Sequence, residues 1–249
     1  MRPNEIFQKE CIERVRSYKK NHNLVKAAAA FMRESTLPKY SYNFSWLGHP
    51  IIQYPQDIVA MQEIIWNVQP DLIIETGIAH GGSVIFSASM IALLEKCGCI
   101  EMGHVIAIDI DIREHNRIEI EKHPLCPYIT MIQGSSIDGD IAEQVKSLSK
   151  NYKKILISLD SNHTHSHVLK ELELYAPLVS VGSYCVVFDT IIENMPENSF
   201  LDRPWDKGNN PKTAVKEFLK HNNNFVIDND IEHKLLITVA PDGYLKRIK

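Results

Sequence analysis

Leu72-Ile-Ile-Glu75-Thr-Gly77-Ile-Ala-His-Gly81-Gly82-Ser83 is the stretch whose reading decides the fold. Its first five residues form a short apolar run of strand length, and glycines then lead into a helical segment spanning 83–94. Four further runs of the same kind follow: Val105–Asp109, Ile129–Ile132, Ile155–Asp160 and Tyr184–Asp189. Between them lie helix-length segments at Arg113–His123, Gly139–Lys150 and Thr164–Tyr175. Continuous apolar strands alternating with helices predict a doubly wound α/β fold, whose mostly parallel sheet is covered on both faces. Just upstream, Ile58, Met61, Ile64, Ile65 and Val68 fall on one helical stripe that ends before Pro70. Downstream, Pro211–His221 reads as a helix, and Asn224–Asp228 and Lys234–Val239 as strands joined by polar Asn229–His233. That pair predicts an antiparallel hairpin at the end of the sheet.

Working outward, the first forty residues read as one or two helices, with Val25, Ala28, Ala29 and Met32 at helical spacings. Tyr40–Pro50 is aromatic-rich and punctuated by Gly and Pro, an ordered loop rather than a linker. Residues 1–50 are therefore expected to be a dependent N-terminal extension, and 51–249 a single domain. The 249 residues are 44% hydrophobic, which supports a real core, and no apolar stretch is long enough to span a membrane. A net charge of −4 disfavours a nucleic-acid binder. The charge is uneven: residues 1–40 carry nine Lys/Arg and four Asp/Glu, whereas 41–249 carry eighteen and twenty-seven. A basic helical arm of that kind reads as a solvated face or an oligomer contact, or as an anionic-ligand site. Five cysteines without a zinc-type spacing, and an N-terminus without an apolar signal core, predict free thiols in the cytoplasm.

Ligands of open α/β sheets bind outside the carboxyl ends of the strands. Glu75, Asp109, Asp160 and Asp189 all lie at such ends, so four carboxylates are expected to converge on one edge. The glycines at 77, 81 and 82 allow positive φ and close approach, and the following helix offers free N–H groups at its start. Their spacing is neither the dinucleotide fingerprint nor a Walker loop. A nucleotide-like cofactor whose contact with this first loop need not be a phosphate remains, with Asp109 placed to take ribose hydroxyls. Glycines at such a turn also serve structure alone.

The segments ETGIAHGGS (75–83), AIDID (107–111), QGSS (133–136), LDSNHTHSHV (159–168) and YCVVFDT (184–190) together resemble the cephalosporin hydroxylase family. That family is a branch of the class I S-adenosylmethionine-dependent methyltransferases, related to catechol-type and rhamnosyl O-methyltransferases, and the resemblance runs from about Asn43 to about Val239. It implies a seven-stranded Rossmann-like sheet and an O-methyltransferase acting on a small hydroxylated molecule, such as a saccharide or secondary metabolite. It further implies that Glu75, Gly77 and Ser83 meet the methionine end of S-adenosylmethionine, that Asp109 binds its ribose, that Ser136 lies by its adenine and that Gly81 and Asp160 also belong to the cofactor site. A homo-oligomer is expected.

In these relatives an aspartate ending the fourth strand binds a divalent metal, and a base three residues later takes the substrate proton. Asp160 and His163 stand at that spacing. A metal lowers the hydroxyl pKa, and a base titrating near neutrality accepts the proton. The family ends its fifth strand with two adjacent acids, but here the pair reads Phe188-Asp189. Asp160 and Asp189 alone can hold Mg²⁺; His163 or His165 as a replacement ligand would favour another divalent metal; loss of the metal is the third reading. Trp205, in Arg203-Pro-Trp205-Asp-Lys-Gly208, either stacks on a flat ligand face or anchors its own loop. Two competing functions stand beside the methyltransferase. One is a metallo-hydrolase built on His163, His165 and His167, although Ser166 occupies the position of that motif's aspartate; the other is a non-catalytic binding protein on a degenerate methyltransferase fold.

Overall fold

The computed structural model describes residues 3–249; Met1 and Arg2 of the N-terminal extension lie outside the described residues. In chain order the elements are α1 (Pro3–Tyr18), α2 (His22–Thr36), β1 (Phe44–Trp46), β2 (His49–Ile51), α3 (Pro55–Val68), β3 (Leu72–Thr76), α4 (Gly82–Lys96), β4 (His104–Asp109), α5 (Glu114–Lys122) and β5 (Ile129–Gln133). They continue as α6 (Gly139–Ser149), β6 (Ile155–Leu159), α7 (His165–Tyr175), β7 (Tyr184–Val187), α8 (Pro211–His221), β8 (Phe225–Ile227), α9 (Asn229–Leu235) and β9 (Tyr244–Arg247). Several boundaries have local causes. The Asn21 side chain caps α2 by accepting from Leu24 N–H, Pro55 occupies the first turn of α3, and α3 ends on left-handed Gln69 just before Pro70.

The large sheet runs β5-β4-β3-β6-β7-β9-β8. The strands from β3 to β7 are parallel, and β9 is antiparallel to both of its neighbours. The chain begins this sheet at its centre with β3, moves out through β4 to β5, and returns to β6 on the other side of β3. That reversal makes the carboxyl ends of β3 and β6 the topological switch point, where open α/β sheets bind ligands.

Alternation along the strands builds two cores, one on each face. Ile73, Val105, Leu156 and Val186 pack with residues of α3, α4 and α5, while Leu72, Ile74, Ile106, Ile157 and Val187 pack with α6, α7 and α8. The same parity turns Glu75 and Ser158 toward α3 and α4 rather than into the opposite core. Helix α4 is buried nearly all round, because the β1–β2 hairpin covers the side turned away from the sheet: Trp46 donates to Ser89 Oγ at 3.0 Å and packs edge-on against Phe86. Among the described residues no helix is long and apolar enough to cross a membrane.

Two expectations about local structure are corrected. Lys234–Val239 is not a strand, and Asn229–His233 is not a plain connection: Asp228 accepts from Asp230 N–H to cap α9, which ends at Leu236 with φ +61°. The segment beyond it is drawn away from the sheet because the buried Asp57 carboxylate accepts from Val239 N–H and Thr238 Oγ1. The antiparallel partner of β8 is β9, which starts ten residues farther along than the Lys234 at which it was expected to start. Within Tyr40–Pro50, the aromatic residues form the β1–β2 hairpin instead of a loop alone. Its two turn residues, Leu47 and Gly48, both have positive φ, the geometry of a tight hairpin turn.

Candidate active site

The cleft at the switch point begins with close backbone packing. A Cβ on Gly77 would lie 2.1 Å from the Asp160 carbonyl oxygen, and one on Gly82 would lie 2.2 Å from that of Pro50. Glycine at 77 lets the end of β3 close against β6, and glycine at 82 lets the chain after β2 lie across the first turn of α4. The result is a cavity lined by Gln53, Asp57, Glu75, Ser83, Phe86, Asp160 and Phe188, among others, and opening onto a groove along Gly77–Ser83.

Glu75 is buried in this cavity. Burial pushes its carboxyl up to about 7, against the opposing influence of the Ser83 and Ser87 hydroxyls. Ser87 donates to Oε2 at 3.2 Å, and Oε1 has no partner among the described residues. Asp160 accepts at Oδ2 from Gln53 Nε2 at 3.0 Å. Its carboxyl is held well above the usual range, first by burial and then by the neighbouring charges of Asp189, Glu75, Glu171 and Asp57. Asp57 is pushed up to about 6 by burial, although Thr238, Val239 and Tyr244 all donate to it. Neither Gln53 nor Asp57 stands out in the sequence as a site residue. Asp57 looks like an ordinary acid in the first turn of a helix, and Gln53 reveals its role only through a contact with a residue 107 positions away.

Asp160, His163 and Asp189 bring one ligand atom each to within 4.8 Å of one another, the one such group of metal-ligating side chains among the described residues. His163 Nε2 lies 3.1 Å from Asp189 Oδ2. Asp189 adopts φ +55°, an uncommon conformation for a non-glycine residue and one that recurs where function holds the backbone. Two oxygens and an imidazole nitrogen, with carboxylates destabilised by each other's charge, form a donor set that suits a divalent cation. Phe188 cannot contribute: it continues the parity of Tyr184 and Val186 and is buried against the α3/α4 face.

The three histidines part company. His163 stays at the acid cluster and packs edge-on against Trp205, with ring centroids 4.7 Å apart. His165 Nδ1 lies 2.8 Å from Thr213 Oγ1 at the start of α8, and its N–H donates to Asn209. His167 Nε2 sits 3.0 Å from Ser136 Oγ and 3.1 Å from Ser161 Oγ. No histidine metal cluster of the hydrolase type therefore exists among the described residues.

The expected ribose and adenine contacts are engaged within the protein. Asp109 Oδ2 accepts from Ile78 N–H at 2.8 Å and Ala79 N–H at 3.3 Å, so its carboxylate braces the glycine loop. Ser136 is buried and donates to Glu171 Oε1 at 2.6 Å. Gly81 caps α4 with φ +85°, and Ser83 lies in its first turn facing Glu75 and Gln53 across the cavity.

Residues 38–248 match the family model described as Rhamnosyl O-methyltransferase/CmcI. The chain is 32% identical over 193 residues to a rhamnosyl O-methyltransferase of Mycobacterium tuberculosis (strain ATCC 25618 / H37Rv), covering 77% of this chain and 73% of that protein. To the protein of the same name from Mycobacterium leprae (strain TN) it is 29% identical, covering 82% of each. Its fold is similar to that of a CmcI structure with Mg and S-adenosylmethionine, with a TM-score of 0.58, 18% identity and coverage of 84% of this chain and 78% of that one. It is also similar to that of MycE methyltransferase in complex with Mg, S-adenosylhomocysteine and mycinamycin VI, with a TM-score of 0.51, 15% identity and coverage of 88% and 54%. With a class I sheet, a glycine-lined cleft at its switch point and these relatives, the chain belongs to the rhamnosyl O-methyltransferase/CmcI family and is an O-methyltransferase.

Proposed function

We propose that the protein moves a methyl group from S-adenosylmethionine to a hydroxyl of a saccharide or similar small metabolite, with a divalent cation held by Asp160 and Asp189. The observation that carries this reading is the gathering of Asp160, His163 and Asp189 beside the glycine-lined groove. The cofactor supplies a methyl group activated on sulfonium. A cation at the acid pair supplies a lowered pKa for the acceptor hydroxyl. His163 is assigned as the base: its Nε2, which faces Asp189, would exchange that contact for an acceptor hydroxyl seated at the cluster and take its proton as the oxygen attacks the methyl carbon and the thioether leaves. Asp189 then stabilises the imidazolium that results.

Gly77, Gly81, Ser83 and Glu75 are assigned to the methionine end of the cofactor and Asp109 to the ribose, with one carboxylate oxygen also holding the loop. Ser136 is assigned to the adenine end through its backbone and the wall it forms, since its hydroxyl is committed to Glu171. Trp205 offers a ring beside the base on which the face of a sugar can pack, and the names of the mycobacterial relatives support a saccharide acceptor. Residues 1–50 are assigned to the same folding unit as the rest.

Isothermal titration with S-adenosylhomocysteine, with and without Mg²⁺, tests the reading. Binding is expected in both conditions and is tighter with the metal. Absence of binding in both overturns it.

A further inference from the structure

We propose that Gln53 is a receptor for the α-ammonium group of the bound S-adenosyl cofactor and that the same side chain orients Asp160. The inference rests on the cofactor assigned above but concerns a residue to which neither the sequence motifs nor the relatives assign a role. An ammonium group carries three N–H donors and must meet oxygen acceptors when it leaves water. Of the buried side-chain oxygens without a partner among the described residues, Gln53 Oε1 and Glu75 Oε1 line the same cavity, together with Ser83 and Asp160. Of the other acids there, Asp57 is committed to three donors, and Asp160 Oδ2 accepts from Gln53 itself.

The amide orientation of Gln53 follows from chemistry. A carboxylate oxygen at 3.0 Å selects the NH₂ end of the amide, which leaves the carbonyl oxygen as the acceptor for a second group. Gln53 is 7% exposed, and its backbone is pinned on both sides. Pro50 lies against Gly82, and Tyr54 occupies the N-cap position of α3, its hydroxyl 2.8 Å from Ser35 Oγ on α2. Gln53 is thus held rigidly between the cofactor groove and the Asp160 carboxylate. Occupancy of the first is coupled through one amide to the orientation of the second.

Two nucleosides isolate the contact. S-adenosylhomocysteine carries the amino-acid end, whereas 5′-methylthioadenosine has the same adenosine and thioether without it. In Gln53→Leu and Gln53→Met, both of similar volume, calorimetric titration should show S-adenosylhomocysteine binding weakened about 10- to 100-fold relative to wild type, the scale of a lost hydrogen bond to a charged group. Binding of 5′-methylthioadenosine should stay within about twofold, which also reports an intact fold. Titration of the cofactor-free variants with Mn²⁺ should show weaker metal binding, the signature of a released Asp160. Equal losses for both nucleosides, or no loss for S-adenosylhomocysteine, overturns the assignment, as does unchanged Mn²⁺ affinity for its second half. Failure of the wild-type protein to bind either nucleoside is a separate result that removes the cofactor reading itself.

Discussion

Glu75 and Glu171 are both fully buried carboxylates near the switch point, on opposite faces of the sheet, and their surroundings treat them differently. Glu171, on α7, gathers donors from two separate loops on one oxygen: Ser136 Oγ at 2.6 Å and Ser161 Oγ at 2.7 Å, with His167 Nε2 at 3.5 Å. It is a strut that ties the loop after β5 to the loop after β6, and Tyr175 completes the tie by donating to the Ser136 carbonyl. Glu75 accepts from Ser87 with the Ser83 hydroxyl also beside it, sits in a cavity and shares it with Asp160, whose charge opposes its own. Each glutamate keeps one buried oxygen without a partner among the described residues, Oε2 in Glu171 and Oε1 in Glu75. Only that of Glu75 belongs to a residue lining the cavity, where a ligand can meet it and offset the cost of its burial.

The sharpest way to break that contrast is to neutralise the crowded side. Asp160→Asn should lower methyl transfer by at least about 10³-fold, the scale of losing a bound cation's stabilisation of a developing oxyanion. In the metal-free protein the same change relieves burial and repulsion, so its melting temperature should rise. A variant that loses both activity and stability would make Asp160 a strut like Glu171. Next in size, His163→Ala should reduce kcat by about 10²- to 10⁴-fold with S-adenosylhomocysteine affinity nearly unchanged, because a general base acts only in the chemical step. Preserved turnover would remove His163 from the base role.

On the strut side the loss should appear in stability. Glu171→Ala leaves buried Ser136 and half-buried Ser161 and His167 without their carboxylate, and denaturant titration should show about 3–5 kcal/mol of destabilisation. A change under about 1 kcal/mol would show that these groups find other partners and that the contrast between the two glutamates is only apparent.

How far the sequence anticipates this arrangement depends on the range of the interaction involved. The parallel strands are legible because burial on both faces turns them into unbroken apolar runs, as in Leu72–Ile74 and Val105–Ile108. Asp160, His163 and Asp189 are legible because a strand end fixes where its next residues emerge. Lys234–Val239 misleads because it has the composition of a strand, while its first residues close α9 and the Thr238 hydroxyl and Val239 N–H answer to Asp57, some 180 residues earlier. The Phe44–Ile51 hairpin is missed because its turn uses Leu47 at positive φ, where Asn or Asp would have signalled it. Gln53 is invisible for the same reason as Asp57: its meaning lies in a distant partner. Ser136 shows the converse, since its place beside β5 is legible but the carboxylate that claims its hydroxyl comes from α7.

The smallest expected effect separates the two carboxylates by pH. Folded Glu75 keeps its proton up to about pH 7, whereas in the unfolded chain the proton leaves near 4.5. Between those values the folded state binds more protons than the unfolded state, so this residue's contribution to stability falls as pH rises through the window, by up to about 3 kcal/mol. Glu75→Gln cannot ionise. In ligand-free protein it should therefore be more stable than wild type at pH 8, and the gap should close as pH falls to 4.5. Asp57 titrates in the same direction in both proteins and cancels in the difference, and Asp160, whose carboxyl the Glu75 charge raises, is removed by making the comparison in the Asp160→Asn background. A gap that does not change with pH would mean that Glu75 ionises as readily folded as unfolded, and the cavity would then hold no more strain than the strut across the sheet.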